Sequence, residues 1–229
     1  MTQQATFFED IAAGSTITAV EPLPADPNMR RIKVNGRIAA KLSASDVESL
    51  GLAVGKGWNA RLAKQVKELV ELGGARWDAM NMLGRRQLSS GELRERLMRR
   101  EYSAAIVARV LASLKADGWI DDTEFARAIA RSLCERKPAA ERLIVAKLAK
   151  RLIPEDAALR AARETLEGHE AVDEAKKLIA ARARTMKGLN AATQTRRLAG
   201  ALARRGYDEE TIRVALHQSG YAIEKESDA

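Results

Sequence analysis

The stretch RRLAGALARRGYDEE, from Arg196 to Glu210, decides the fold because two earlier stretches follow the same pattern. GELRERLMRREYSAA begins at Gly91, and a more divergent copy, ERLIVAKLAKRLIPED, begins at Glu141. In each copy, apolar residues at helical spacing precede two adjacent basic residues and then a tyrosine or an isoleucine. The basic pairs of the copies are offset by 51 and then 54 residues, so the sequence predicts a tandem repeat of about 50 residues.

Each repeat is predicted to contain three helices, of which the second carries the quoted motif. Ser and Asp at a helix start accept hydrogen bonds from the free amides of the first turn, and Pro is tolerated there. The first helices are expected to begin near Ala75, Asp122 and Glu170, the second near Ser89, Pro138 and Asn190, and the third near Ser103, Pro154 and Asp208. Such a unit buries little apolar surface alone, so stacked copies that share a core are expected to form an elongated body.

The segment before the repeats has the pattern of a small β-rich domain. Thr16–Val20, Met29–Val34 and Arg37–Leu42 are predicted strands, and Asn35-Gly36 predicts a tight hairpin turn because both residues tolerate positive φ. Ser45-x-x-Glu48 resembles a capping box that opens a short helix, which Gly51 closes. The next helix, from Arg61 to Leu72, is predicted to be interrupted by Gly73-Gly74.

The predicted fold class is therefore mainly α: three tandem three-helix repeats forming an elongated body, with a small β-containing N-terminal domain. The predicted boundaries are 1–74 for the N-terminal domain and linker helix, 75–121, 122–169 and 170–223 for the repeats, and 224–229 for a frayed polar tail.

Charge is concentrated on the repeats, whose partner is thus expected to be a polyanion. The formal net charge is +8. The first 75 residues contain nine basic and eight acidic residues, whereas the remainder contains 30 and 23. A basic face attracts nucleic acid, although charges on helix exteriors also serve solubility alone.

Composition favours a soluble protein of a reducing cytoplasm. There is no apolar run long enough to cross a bilayer, and the stretch MTQQATFFED lacks the basic region of a secretory signal. The single cysteine, Cys134, excludes an intramolecular disulfide and is expected to be a buried small apolar residue.

No pattern of catalytic or metal-binding residues stands out, so we expect neither an enzyme nor a cofactor or metal site. Gly51–Gly57 resembles a phosphate-binding loop but is one residue short and lacks its hydroxyl, so a turn is expected. His169 and His217 have no neighbouring ligands at metal spacing. Asp121-x-x-Glu124 is expected to cap a helix and not to bind a metal.

The basic pairs are the candidate contact residues for DNA or a partner. They are Arg99-Arg100, Lys150-Arg151 and Arg204-Arg205. Each pair closes a helix, where a cation interacts favourably with the dipole, and this explains one cation per copy. Two adjacent cations in every copy leave open a role in binding. Tyr102, Ile153 and Tyr207 after the pairs are expected in the core, and Trp77 and Trp119 are expected to pack and not to stack on bases.

Several motifs together resemble the RecX family of recombinase regulators. Ser90-Gly-Glu-Leu93 and the line GWIDDTEFA, from Gly118 to Ala126, carry the resemblance, with a further match from Arg204 to Ile212. The likeness covers about residues 75 to 218. The glycine common after the basic pair is present as Gly206, but the first two copies have Glu101 and Leu152. The glycine common before the middle helix of the second repeat is replaced around Lys137–Ala139.

The resemblance implies a non-enzymatic protein that binds the filament of the RecA recombinase on DNA. Members are understood to lie along the filament groove and to limit strand exchange, ATP hydrolysis and co-protease activity. It also implies DNA as a secondary partner, and we expect a monomer. Two other functions are kept open: a direct DNA-binding repressor or architectural protein, and a protein scaffold with no nucleic-acid role.

Overall fold

The computed structural model describes residues 14–186 and 188–221. The predicted polar tail, 224–229, lies outside the described residues. So do the first 13 residues, which include the stretch that lacks the basic region of a secretory signal. The chain divides into two compact units. One contains Met1–Arg86 and Leu93–Asp117, and the other contains Gln87–Glu92 and Gly118–Ala229.

A small antiparallel sheet forms the N-terminal part of the first unit. Its strands are β1 (Ser15–Leu23), β2 (Asp26–Val34), β3 (Arg37–Ser43) and β4 (Gly57–Trp58), in the order β3-β2-β1-β4. The predicted hairpin is confirmed: β2 pairs with β3 through Val34 and Arg37, and the two residues between them have φ values of 49° and 80°. Alternate residues of the strands bury one face with the following helix, including Ile17, Ile32, Leu42 and Trp58.

The short helix α1 (Ala44–Ser49) begins two residues earlier than the capping box indicated. Its N-cap is Ser43, whose Oγ accepts a hydrogen bond from the amide of Asp46 at 3.0 Å. Ser45 is therefore not the cap, because a second serine two residues upstream lies at the end of β3 with extended backbone. Gly51 follows the helix at a positive φ of 55°, as expected.

The turn predicted for Gly51–Gly57 is confirmed, and its lysine holds it together. Lys56 Nζ donates to the carbonyl oxygens of Leu50, at 2.6 Å, and Gly51, at 3.1 Å. The lysine thus satisfies carbonyls at the end of α1.

Helix α2 (Ala60–Arg85) runs through Gly73-Gly74, so the predicted break is wrong, as is a helix start at Ala75. Buried residues on both sides of the glycines, Val66 and Ala79 among them, hold the helix against the unit's core. Packing of this kind overrides the weak helix propensity of glycine. Gly74 also leaves room for a ring, since a Cβ there would lie 3.2 Å from Tyr102 Oη.

Eight further helices follow within the described residues, and they confirm the mainly helical fold class. Ser103 and Asp208 cap their helices with side-chain oxygens as predicted, and Asp121 caps as its motif indicated. Asn190, near which a helix start was predicted, caps α9 in the same way. Pro138 lies three residues before its helix. The helices are α3 (Ser90–Met98), α4 (Ala104–Ala116), α5 (Asp122–Arg136), α6 (Glu141–Ala149), α7 (Glu155–Leu166), α8 (Ala171–Ala183), α9 (Ala191–Ala203) and α10 (Glu209–Gln218). The domain boundaries stay predictions.

The helical core is built from leucine, isoleucine and alanine. In the second unit, α5, α6 and α7 enclose one cluster around Ile144 and Leu148, and α8, α9 and α10 enclose another around Leu198 and Leu202. Ile153 and Tyr207 are buried as predicted, whereas Tyr102 is half-buried. Cys134 is also only half-buried, which corrects the expectation of full burial.

The two tryptophans expected to pack are exposed. Trp77 is 69% exposed on α2, and Trp119, which lies between α4 and α5, is 56% exposed. The prediction that they pack is wrong, because each side chain lies on the outer side of its segment. Trp58, by contrast, is buried beneath the sheet.

Candidate partner and nucleic-acid interface

The three basic pairs occupy one structural position, the turn that ends α3, α6 and α9. In each copy the residue after the pair has a left-handed backbone: φ is 66° at Glu101, 53° at Leu152 and 87° at Gly206. This conformation ends the helix and favours glycine. The turn is thus kept in all three copies, although two of them lack the glycine.

The second residue of each pair makes tertiary contacts within its own compact unit. In the first unit, the Arg100 guanidinium forms an ion pair with Asp78, whose side chain is only 11% exposed. The same carboxylate accepts a hydrogen bond from Tyr102 Oη at 3.0 Å. Burial, and then Asp78, raise the pKa of Tyr102 to about 12.

Arg151, the second residue of the middle pair, connects the end of α6 to the start of α3. Its Nε and Nη2 donate to the two carboxylate oxygens of Glu92 at 2.9 and 3.0 Å, and Nη2 also reaches the carbonyl of Gln87 at 3.3 Å. The guanidinium lies 4.7 Å from the centroid of the Phe125 ring. This is a bidentate pair stacked on an aromatic face, an arrangement that suits arginine better than lysine.

Arg205 makes the equivalent connection between the end of α9 and the segment before α6. Its Nε donates to the carbonyl of Pro138 at 2.7 Å, and its Nη2 donates to those of Lys137 and Leu133. Both turns are held through the main chain as well. Ser89 Oγ donates to the Arg151 carbonyl at 2.5 Å, and the Ala140 amide donates to the Arg205 carbonyl at 3.0 Å. We call these two sets of contacts the repeat junctions.

Glycine permits close approach at both repeat junctions. A Cβ on Gly91 would lie 2.3 Å from the carbonyl oxygen of Leu152, and one on Gly206 would lie 2.6 Å from the amide nitrogen of Leu143. Neither gap admits a side chain.

The first residue of each pair is directed to solvent. Arg99, Lys150 and Arg204 are all exposed. Arg99 forms one ion pair with Glu95 on the same helix, and both side chains are at least half exposed. Among residues 14–186 and 188–221, the side chains of Lys150 and Arg204 form no hydrogen bond or ion pair. We call these three residues the outward cations; further exposed cations on the same helices are Arg94, Arg142, Lys147, Arg196 and Arg197.

Sequence reasoning missed the tertiary partners of the second residue of each pair. Asp78, Glu92 and Phe125 fix the pairs from distant segments. One signal was available: Ser89-x-x-Glu92 has the spacing of a capping box, and both of its hydrogen bonds form, at 3.0 and 3.1 Å. It marks a helix start but does not identify Arg151 as the partner of Glu92.

The described part of the chain offers no obvious reactive centre. No group of three or more His, Cys, Asp or Glu residues is arranged to hold a metal there. Burial raises the pKa of the Cys134 thiol, which disfavours the reactive thiolate. None of the described helices is both long and apolar enough to cross a membrane.

Comparison with known proteins identifies relatives of one kind. Residues 75–114 match the family model described as "RecX, first three-helix domain". The chain is 32% identical over 154 residues to the regulatory protein RecX of Thermobifida fusca, covering 66% of this chain and 83% of that protein. It is 32% identical over 142 residues to the regulatory protein RecX of Prosthecochloris aestuarii, covering 61% and 89%.

Solved structures share the fold at low sequence identity. A crystal structure of a regulatory protein RecX superposes with a TM-score of 0.72 at 15% identity, covering 90% of this chain and 98% of that one. RecX from Lactobacillus salivarius gives a TM-score of 0.55 at 14% identity, covering 66% and 98%.

Proposed function

Since this chain belongs to the RecX family of regulatory proteins, we propose that it is a non-enzymatic regulator that binds the RecA recombinase filament on DNA and restrains it. In this proposal it slows ATP hydrolysis and limits strand exchange and co-protease activity in the cytoplasm. DNA is a secondary partner, met in the filament.

The observation that carries the proposal is a difference between the two cations of each basic pair that recurs in all three copies. In every copy the second residue contacts a distant segment of its own compact unit, although the Arg100 side chain is still 52% exposed. The first residue is exposed in every copy at the end of the middle helix. A structural role at the helix end needs only one cation per copy. The other cation makes no tertiary contact, and in the first copy it pairs only with the exposed Glu95 of its own helix. It is therefore available to a partner, and its repetition suits a partner that is itself repetitive. Several weak contacts in one chain then give a large combined affinity.

Restraint of this kind needs no catalytic residue. A protein bound across adjacent recombinase protomers resists the movements that accompany ATP turnover. Cations placed at the same time near the DNA phosphates hold it there, and this contribution weakens with salt.

The test is DNA-dependent ATP hydrolysis by the cognate RecA on long single-stranded DNA, titrated with this protein. DNA is kept in excess so that competition for DNA sites is separable. We expect hydrolysis to fall at a ratio well below one chain per recombinase protomer. If hydrolysis is unchanged at every ratio while the chain binds DNA alone, the direct DNA-binding repressor or architectural protein replaces this proposal.

A matched pair of triple variants tests the outward cations. In the first, Arg99, Lys150 and Arg204 are replaced by Glu; in the second, Arg85, Arg136 and Arg182 are. The control residues are also exposed, and they lie in the last turns of α2, α5 and α8, so total charge and helix-end position are matched. We expect half-inhibition by the first variant to need at least about tenfold more protein, a loss of about 1.4 kcal/mol in binding. Equal inhibition by the two variants contradicts a role for the outward cations.

A further inference from the structure

A cavity of about 640 Å³ opens in the second unit where α6 and α8 begin, and we call it the α6–α8 cavity. Its volume lies within the range of small-ligand pockets. Its apolar lining comes from α6, α7 and the start of α8, and includes Val145, Ala146, Leu159, Leu166 and Ala171. The buried Tyr207, whose hydroxyl has no hydrogen-bond partner in the described part of the chain, also lines it.

The cavity exists because this repeat junction carries smaller and more polar residues than the preceding one. At positions equivalent by the repeat, Leu88 is replaced by Ala139 and Leu152 by Gly206. When α5 and α8 are aligned from their N-caps, Asp121 and Glu170, Ile120 and Phe125 are replaced by His169 and Glu174. All four replacements line the cavity. Leu88 and Ile120 are buried at the preceding junction, and the smaller or more polar residues at the equivalent positions leave space at this one.

The helix starts at the cavity lack the caps of their counterparts. In the preceding repeat, Ser89 caps α3 and Asp121 caps α5 through side-chain oxygens. The equivalent residues, Ala140 for α6 and Glu170 for α8, make no capping hydrogen bond with their side chains. Uncapped amides and the helix dipole favour an acceptor with negative charge.

Arg142 is the one charged side chain of the cavity lining that has no partner among the described residues. Three carboxylates line the cavity, and each is already engaged: Glu141 pairs with Arg163 at 3.6 Å, Glu174 pairs with Lys177 at 2.5 Å, and Asp208 accepts from the amide of Thr211 at 2.7 Å. The Arg142 side chain is exposed and, among the described residues, forms no ion pair or hydrogen bond. The cation that lines the cavity is therefore the charged group left for a ligand.

We propose that the α6–α8 cavity binds an apolar side chain accompanied by a carboxylate, supplied by a protein partner. The apolar floor takes the side chain, while Arg142 and the uncapped starts of α6 and α8 take the carboxylate. An apolar floor favours a protein side chain over a nucleotide. The identity of the partner rests on the proposed function: if the chain regulates the recombinase filament, this cavity holds a protein contact distinct from the outward cations.

The ligand chemistry is tested without any partner protein, with N-acetyl-L-phenylalanine as the probe. Amide chemical shifts of the full chain are followed by NMR during titration. We expect saturable shifts at Arg142 and Ala171 with a dissociation constant of order millimolar, which is typical of so small a ligand. The uncharged analogue, N-acetyl-L-phenylalaninamide, is expected to bind at least about threefold more weakly. Equal binding of acid and amide overturns the carboxylate assignment.

Two variants with the same substitution separate the cavity from the surface. Ala146 is exposed and lines the cavity, so Ala146→Phe fills it; Ala180→Phe places the same ring on an exposed position of α8 that does not line it. We expect shifts from the probe to vanish in Ala146→Phe and to persist in Ala180→Phe. Unchanged shifts in Ala146→Phe overturn the site.

The partner class is tested by binding to recombinase filaments and, separately, to naked single-stranded DNA. Ala146→Phe is expected to weaken filament binding about tenfold and to leave binding to naked DNA unchanged. Arg142→Glu is expected to weaken filament binding more than Lys147→Glu, an equal charge change on α6 outside the cavity. A parallel loss of naked DNA binding in Ala146→Phe overturns the protein partner in favour of nucleic acid. If the unsubstituted chain does not bind filaments, the proposed function fails while the probe titration still decides the cavity.

Discussion

At the residue scale, Glu101 and Leu152 hold a backbone conformation that glycine holds in the third copy. Their φ values of 66° and 53° cost an L-residue about 1 to 2 kcal/mol relative to the right-handed region. The packed helices on either side impose the conformation, so the turn forms without its preferred residue.

Replacement of Glu101 by Gly is expected to raise the free energy of unfolding by about 1 kcal/mol, since it relieves this strain. Urea unfolding measures it. Glu101→Ala is the control: it removes the exposed carboxylate but keeps the Cβ, so it is expected to give no gain. Equal stabilisation by both variants assigns the effect to charge and contradicts strain.

The tyrosines after the first and third basic pairs are expected to respond differently to loss of the hydroxyl. Tyr102 Oη donates to Asp78, whereas Tyr207 Oη is buried with no partner among the described residues. Tyr102→Phe is thus expected to lower the free energy of unfolding by about 1 kcal/mol, and Tyr207→Phe to leave it unchanged or raise it. Thermal unfolding at neutral pH distinguishes them, and equal losses contradict the structure.

The same tyrosines predict a loss of stability at alkaline pH. Burial raises the pKa of both to about 12, from an ordinary value of 10. Between these values the unfolded chain loses the phenol proton while the folded chain keeps it. The stabilisation that comes from the raised pKa is therefore fully present below pH 10, and it is lost as the pH rises toward 12. Urea unfolding at several pH values above 9 is expected to show a shallower fall in Tyr207→Phe, and an unchanged slope contradicts the raised pKa.

At the element scale, α2 shows tertiary packing overriding a local signal. Two adjacent glycines in a sequence of helical period predict a break, yet the helix continues for 26 residues. The glycines differ in surroundings: a Cβ on Gly73 would have no neighbour within 4 Å, whereas one on Gly74 would approach Tyr102 Oη.

Gly73→Ala is therefore expected to stabilise the protein by about 1 kcal/mol, the difference in helix propensity. Gly74→Ala is expected to gain less, because the tyrosine must move by a few tenths of an ångström. Denaturant midpoints of the two variants make the comparison. Destabilisation by Gly73→Ala contradicts a continuous helix.

At the scale of the whole molecule, the same kind of arginine contact recurs at both repeat junctions. At each junction, an arginine that follows the middle helix of one repeat contacts the segment where the middle helix of the preceding repeat begins. The arginine's partners are a carboxylate and one carbonyl group in one junction and three carbonyl groups in the other, so the geometry is kept although the chemistry differs.

A double-mutant cycle on Glu92 and Arg151, each replaced by Gln, is expected to give a coupling energy of about 2 kcal/mol. The pair is bidentate, and the Glu92 side chain is only 12% exposed. The control cycle on Glu141 and Arg163, which are 3.6 Å apart and far more exposed, is expected to give below about 0.5 kcal/mol. Both cycles are read from chemical unfolding, and equal coupling in the two contradicts a special role for the junction.

The sequence by itself determined the repeat and most helix starts. Apolar spacing reveals which face of a helix is buried, and Ser103, Asn190 and Asp208 cap locally, so both signals lie within a few residues. The same holds for the Asn35-Gly36 turn, where φ depends on the residues themselves. The basic pairs were found by the repeat, and the sequence placed all three at helix ends.

Only the tertiary structure decided which cation of each pair is available. Arg151 turns inward because Glu92, 59 residues away, lies opposite it, and Arg205 because three carbonyl groups do. The exposure of Trp77, the continuity of α2 and the α6–α8 cavity likewise depend on what packs against a residue from elsewhere in the chain. Local signals carry no information on such partners, since a side chain's direction is set by contacts that form only when distant segments meet.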